Sequence, residues 1–270
     1  MNAFVYDNVS TMYRDIVSKL VSQKSLNDTK ELTNVLLLVK DVTDYVITDR
    51  DISLSYLCGE LLWYMTGSND VNFISKFAKK WSEITDDGET SNSAYGHILK
   101  YRHGFDQVKT IIDLLKQDKN TRRAVINFNV PNPNVITTKD EICTVALQFL
   151  IRDDELHCTA IMRSNDVYTG MPYDIAFFVS LQKIIAHKLN KICGTYTHFV
   201  TSLHLYNSTE EKLLSALQKK NVSVKLNAVN LLTLTEEDYE SIYHSSSPKL
   251  DVIKLFMKKK IVEVKNINED

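Results

Sequence analysis

The chain has 270 residues, 44% of them hydrophobic, which is enough apolar material for one sizeable core or two small ones. Its 32 basic residues against 34 acidic ones leave a net charge of -2, so there is no overall positive field to hold a nucleic-acid backbone. Direct nucleic-acid binding is not expected, and any nucleotide bound should be small.

In chain order, apolar residues at helical spacing predict a helix over residues 13–21, and a β-branched run predicts a strand over 35–39. Helices follow at 54–65, 71–81 and 105–115, then strands at 124–129, 144–151 and 156–162. A helix over 175–189, a strand over 197–206 and a helix over 210–217 complete the set. Helices and strands do not alternate regularly, which favours an α+β layered fold over a doubly wound parallel sheet. With only 7 Gly and 4 Pro and no linker-like stretch, residues 1–270 read as a single domain without internal repeats.

Residues 1–10 lack a basic flank followed by an apolar run, and no stretch reaches the length of a bilayer span, so a soluble, cytoplasmic protein is expected. Cys58, Cys143, Cys158 and Cys193 have neither metal-ligand spacing nor the density of a disulfide scaffold. Free thiols and no metal are expected.

The strands either side of Asp153-Asp154 are close enough to form an antiparallel hairpin with a two-residue turn, a register that sets Cys143 opposite Ser164 with Arg163 beside them. A guanidinium next to a thiol favours the nucleophilic thiolate, which makes Cys143 the leading catalytic candidate. Taken alone, Cys143 also reads as a small core residue, as most lone cysteines are. Arg163 and Ser164 together suit a phosphate. Asp174, at the start of an apolar helix, needs no explanation beyond the helix dipole. Glu60 shares a helical face with Leu57, Leu61 and Tyr64, so its carboxylate should point inward. There it is either a proton shuttle of raised pKa or the partner of a buried Arg.

Glu60-Leu61-Leu62-Trp63, Trp81, Tyr95-Gly96, Asp106-Gln107, Thr121-Arg122-Arg123, Cys143, Gln148-Phe149, Arg163-Ser164-Asn165-Asp166, residues 170–176 and His204-Leu205-Tyr206, in this order, resemble the thymidylate synthase and deoxycytidylate hydroxymethylase family. The similarity is densest over residues 54–206. The resemblance implies a thymidylate synthase-like fold, a mixed β-sheet flanked by helices, and a homodimer formed through the sheet. It implies that Cys143 attacks C6 of a pyrimidine monophosphate and that C5 takes a one-carbon unit from 5,10-methylenetetrahydrofolate. Phosphate would rest on Arg163 and Ser164 and on Arg122 and Arg123 of the other subunit. His204 and Tyr206 would meet the sugar, and Gln148, Asn165 and Asp174 the nucleotide. Glu60, Asp166 and Tyr95 would serve catalysis, and Trp81, Asp166 and Gly170 the folate. Arg122 and Arg123 are otherwise ordinary strand-end charges, and His204 with Tyr206 a half-buried strand pair.

Where thymidylate synthases have Pro-Cys-His and Pro-Phe-Asn, this chain has Ile142-Cys143-Thr144 and Pro172-Tyr173-Asp174. An amide suits uracil, whereas a carboxyl in the right protonation state suits the acceptor N3 and donor amino group of cytosine. The 162–167 run and Cys143-Thr144 are closer to phage deoxycytidylate hydroxymethylases, which implies water as the last nucleophile and, for a phage protein, the host cytoplasm. The family's N-terminal phosphate loop has no clear counterpart in residues 27–33, where Lys30 is the substitute expected. The family's C-terminal closing segment has no match. The expectation is hydroxymethylation of dCMP to 5-hydroxymethyl-dCMP with release of tetrahydrofolate. Rivals are C5-methylation of dCMP or dUMP with dihydrofolate as co-product, hydroxymethylation of CMP, and a non-catalytic nucleotide-binding protein on the same fold.

Overall fold

A computed structural model describes residues 2–219 and 222–265. Strand β1 (Asn2–Tyr6), helix α1 (Val9–Val21) and β2 (Thr29–Val39) open the chain, followed by α2 (Leu54–Thr66), α3 (Val71–Ile74), α4 (Lys80–Ile84), α5 (Tyr95–His97) and α6 (Gln107–Gln117). Then come β3 (Val125–Asn127), β4 (Thr144–Arg152), β5 (Glu155–Asp166), α7 (Met171–Lys188), β6 (Ile192–Tyr206) and α8 (Asn207–Leu217). A C-terminal unit comprises β7 (Ser223–Leu226), α9 (Glu236–Tyr243), α10 (Pro248–Lys258) and β8 (Val262–Lys265).

Six strands form one mixed sheet in the order β1-β2-β6-β5-β4-β3, with parallel pairs at β1/β2 and β5/β6 and antiparallel pairs elsewhere. Strand alternation gives the sheet two faces. Leu37, His198, Ala160, Leu147 and Ile126 stand in register on the inner face and are buried. Helix α7 packs on β5 and β6 there, and α1 packs on β2. The α7 sequence is apolar nearly all round, which suits a helix enclosed by sheet and neighbouring helices. On the opposite face Leu36, Phe199 and Ile161 form an apolar row across three strands that is only partly covered.

Local chemistry sets the helix ends. Asn8, Ser53 and Asp106 accept from backbone amides of α1, α2 and α6, and Gly67 ends α2 in the left-handed conformation at φ 80°. Asp153 and Asp154 both have positive φ (49° and 67°), the geometry of a tight hairpin turn. The expected hairpin register holds from Arg152↔Glu155 to Ala146↔Ile161. A bulge between Thr144 and Ala146 then shifts it by one, so Thr144 faces Met162 and the Arg163 amide donates to the Cys143 carbonyl at 2.9 Å. Cys143 therefore stands opposite Arg163 and not Ser164.

The helix expected over 71–81 is broken into α3 and α4, with tight turns between them. Strand β1, the polar first half of β2 and the β7/β8 unit with α9 and α10 go beyond the sequence reading. The N-terminal part of β6 does so too. No helix among the described residues is long and apolar enough to cross a membrane.

Candidate active site

The bulge at the start of β4, the end of β5 and the first turn of α7 meet at one end of the sheet, and the middle of α2 faces them. Cys143 comes from the first, Asn165 from the second, Asp174 from the third and Glu60 from the fourth.

Asp174 is held from both sides. Asn165 Nδ2 donates to its Oδ2 at 2.8 Å, and the Tyr95 hydroxyl donates to its Oδ1 at 3.1 Å. Tyr95 in turn accepts from Thr144 Oγ1 at 2.8 Å, which ties the residue after Cys143 to the carboxyl. Burial raises the Asp174 pKa to about 6, against the lowering effect of these two hydrogen bonds. Gly170 precedes α7 because a Cβ there would come within 3.2 Å of both Asn165 Nδ2 and Asp174 Oδ2.

Glu60 is 5% exposed and points inward, as its helical face predicts. Tyr56 and Tyr64, one turn before and after it, donate to its Oε1 at 2.5 and 3.2 Å. No buried Arg pairs with it among the described residues. Burial pushes its pKa up to about 8, and the charge of Asp174 adds to that rise. Trp81 Nε1 donates to the Tyr56 hydroxyl at 3.1 Å, and Tyr64 stacks on Tyr95 at 5.2 Å, so an aromatic wall joins the two carboxyls.

Arg163 acts on Cys143 in the expected direction, favouring the thiolate, but burial outweighs it. Burial raises the Cys143 pKa above its ordinary value, and the Arg163 charge only partly opposes this. The guanidinium is turned onto backbone instead, donating to the Ile142 carbonyl at 2.9 Å and to the Glu141 carbonyl at 2.8 Å.

The other expected residues divide. Ser164 Oγ lies 3.5 Å from His204 Nδ1, and the rings of His204 and Tyr206 meet edge to face at 5.1 Å. The Asp166 carboxylate is spent on the turn before α7, accepting from the Tyr168 amide at 2.9 Å and from the Thr169 hydroxyl. Lys30 is not a free cation near the phosphate residues, because its ammonium is paired with Glu210 at 2.7 Å and donates to the Val21 carbonyl at 2.9 Å. Gln148 sits mid-strand on β4 and donates to the Arg122 carbonyl at 3.1 Å. Arg122 and Arg123 are exposed before β3, away from Cys143 along β4, and neither makes an ion pair among the described residues.

Tyr56, Tyr64, Tyr196 and His198 belong to the same polar network, and of these the sequence reading names Tyr64 alone, as a residue on the helical face of Glu60. The spacing of Tyr56 and Tyr64 around Glu60, one turn each way, is the signal that finds the first two. Arg50, 6% exposed, lies over the Tyr168 and Tyr173 rings at 4.8 and 5.2 Å at the edge of this region. No group of three or more His, Cys, Asp or Glu among the described residues is arranged to hold a metal ion.

Comparison with known proteins bears on this geometry. The solved thermostable thymidylate synthase A from Bacillus subtilis matches with a TM-score of 0.69 at 19% identity, over 84% of this chain and 92% of that one. It shows the fold. A deoxyuridylate hydroxymethyltransferase of Bacillus phage SP01 is 26% identical over 226 residues, 76% of this chain, and the chain spans 59% of that relative's length. The thymidylate synthase family model matches residues 12–260. The chain belongs to the thymidylate synthase family.

Proposed function

We propose that the protein transfers a one-carbon unit from 5,10-methylenetetrahydrofolate to C5 of dCMP and that water completes the reaction, giving 5-hydroxymethyl-dCMP and tetrahydrofolate. The observation that carries the choice of base is Asp174, a carboxyl with a pKa raised to about 6 and a hydrogen-bond donor on each oxygen. Desolvation by a bound base raises it further, so the acid form is accessible near neutral pH. A neutral carboxyl donates to N3 of cytosine and accepts from its amino group. Leaving a buried polar group mispaired costs about 1–3 kcal/mol, which is enough to bias the choice of base.

In this reading Cys143 Sγ adds to C6, so the electron pair of the C5–C6 bond can attack the methylene carbon. Tetrahydrofolate departs, the C5 proton is lost, and water adds to the exocyclic carbon. The Cys143–C6 bond then breaks to restore the ring. Glu60, protonated at neutral pH with a pKa of about 8, supplies and recovers protons beside the base. Burial holds the Cys143 thiol neutral in the free enzyme; phosphate drawing Arg163 off its carbonyls would rearrange the charge beside it. Trp81 and Tyr56 offer aromatic surface that suits a pterin ring.

Arg163 and Ser164 are assigned to the phosphate, His204 and Tyr206 to the sugar, and Arg122 and Arg123 to the partner's phosphate in a homodimer. The partly covered row of Leu36, Phe199 and Ile161 supports pairing through the open face of the sheet.

A second reading is hydroxymethylation of dUMP, which the likeness to a phage deoxyuridylate hydroxymethyltransferase favours. Competing dCMP against dUMP in one reaction with methylenetetrahydrofolate, with products identified by mass spectrometry, tests the proposal. Preferential consumption of dCMP supports it, and preferential consumption of dUMP refutes it.

A further inference from the structure

Tyr196 and His198 stand at alternate positions on the inner face of β6, and neither is exposed. The Tyr196 hydroxyl lies 2.8 Å from His198 Nδ1, and His198 Nε2 lies 3.0 Å from Asn165 Oδ1. Asn165 Nδ2 continues the line to Asp174 Oδ2 at 2.8 Å. Burial drives the imidazole pKa down to about 3, so the ring is neutral and carries one N–H. The Tyr196 phenol has no other partner among the described residues, so it must donate to Nδ1. The ring proton is then on Nε2 and is given to Asn165 Oδ1. With its oxygen taken, Asn165 can present only its NH2 group to Asp174.

We propose that Tyr196 and His198 are positioning residues that set the hydrogen-bonding polarity of Asp174, and through it the pyrimidine base that the site accepts. The inference rests on Asp174 reading the base. A carboxylic acid alone is ambiguous, because its proton sits on either oxygen and offers both donor–acceptor orders. Both oxygens accept a hydrogen bond, but Asn165 can offer Oδ2 nothing except N–H, at 2.8 Å, whereas the Tyr95 hydroxyl, 3.1 Å from Oδ1, can rotate and accept; Oδ2 therefore stays an acceptor and Oδ1 takes the proton. One order is thereby selected, by groups that touch neither base nor sugar. Three matched polar groups in a row within an apolar core are a poor choice for packing alone, since each is costly unless fully paired.

The test compares dCMP and dUMP affinities, by calorimetry, for the full-length wild type, His198→Phe, Tyr196→Phe and His198→Gln. His198→Phe keeps the ring shape, removes the donor to Asn165 and should lower the dCMP-to-dUMP affinity ratio about tenfold, as expected for one misdirected buried hydrogen bond. Tyr196→Phe should lower it less. His198→Gln, whose amide can still donate to Asn165, should restore most of it, which a purely structural role would not do. An unchanged ratio in His198→Phe overturns the proposal. Nitrogen NMR of wild-type His198 gives an answer even if that variant does not fold. A bare Nδ1 with a protonated Nε2 is expected, and the reverse tautomer overturns the proposal. If the wild type prefers dUMP, the proposed substrate fails, while a ratio that still moves in His198→Phe upholds the positioning role.

Discussion

Asn165 and Asp174 are joined by a 2.8 Å hydrogen bond that spans from the end of β5 to the first turn of α7, and the absence of a side chain at Gly170 leaves it room. This bond makes Asp174 a placed carboxyl and not merely an acidic residue at a helix start. Asp174→Asn replaces it with a group of opposite preference. Discrimination between dCMP and dUMP should move towards dUMP by about 10- to 100-fold, in line with one or two mispaired buried groups. Steady-state kcat/KM on the two nucleotides measures it, and retained selectivity for cytosine defeats the role given to Asp174.

Cys143→Ser should abolish release of tritium from C5 of dCMP while nucleotide binding stays within a few-fold. Because burial raises the thiol pKa and Arg163 opposes that rise, Arg163→Ala should move the onset of exchange to higher pH as well as weaken phosphate binding. An onset at lower pH in that variant would contradict the electrostatics described.

Glu60 and Asp174 have folded-state pKa values of about 8 and about 6, above their ordinary 4.5 and 3.8. A raised acid binds its proton more tightly in the folded state, so its contribution is full below the ordinary pKa and is lost as pH rises through the folded one. For Glu60 that window runs from about pH 4.5 to 8. Glu60→Gln should therefore be more stable than wild type at pH 8–9, on the order of a few kcal/mol at most, with the difference vanishing near pH 4. Urea melts across pH check this, and a variant less stable at every pH would show that Glu60 is a stabilising carboxylate.

If Arg122 and Arg123 act on the partner's phosphate, Cys143→Ser mixed with an Arg122→Ala, Arg123→Ala double variant should regain activity after subunit exchange. The mixed dimer then holds one complete site, with cysteine from one subunit and arginines from the other. No recovery in mixed dimers that have been verified by mass would place the arginines in their own subunit's site.

The α+β class and the hairpin are legible in the sequence because β-branched alternation and a two-residue turn are local properties. The bulge at Thr144–Ala146 is not, because the extra residue is absorbed by tertiary packing and leaves no mark in the pattern, yet it decides what Cys143 faces. Glu60 is legible as an inward carboxylate from its helical face, while Asp174 gains its meaning only when Asn165 and Tyr95 arrive from distant segments. Lys30 looks like a substitute phosphate ligand until its partner Glu210, remote in sequence, comes into contact. His198 reads as one more alternating strand residue, since its chemistry lies in complete burial and in a partner on the neighbouring strand.

The most direct measurement is the product formed from dCMP and methylenetetrahydrofolate in heavy-oxygen water. The expected products are 5-hydroxymethyl-dCMP with one labelled oxygen on the new carbon, and tetrahydrofolate. A methylated product with dihydrofolate, or no product from dCMP while dUMP is turned over, would contradict the proposed reaction.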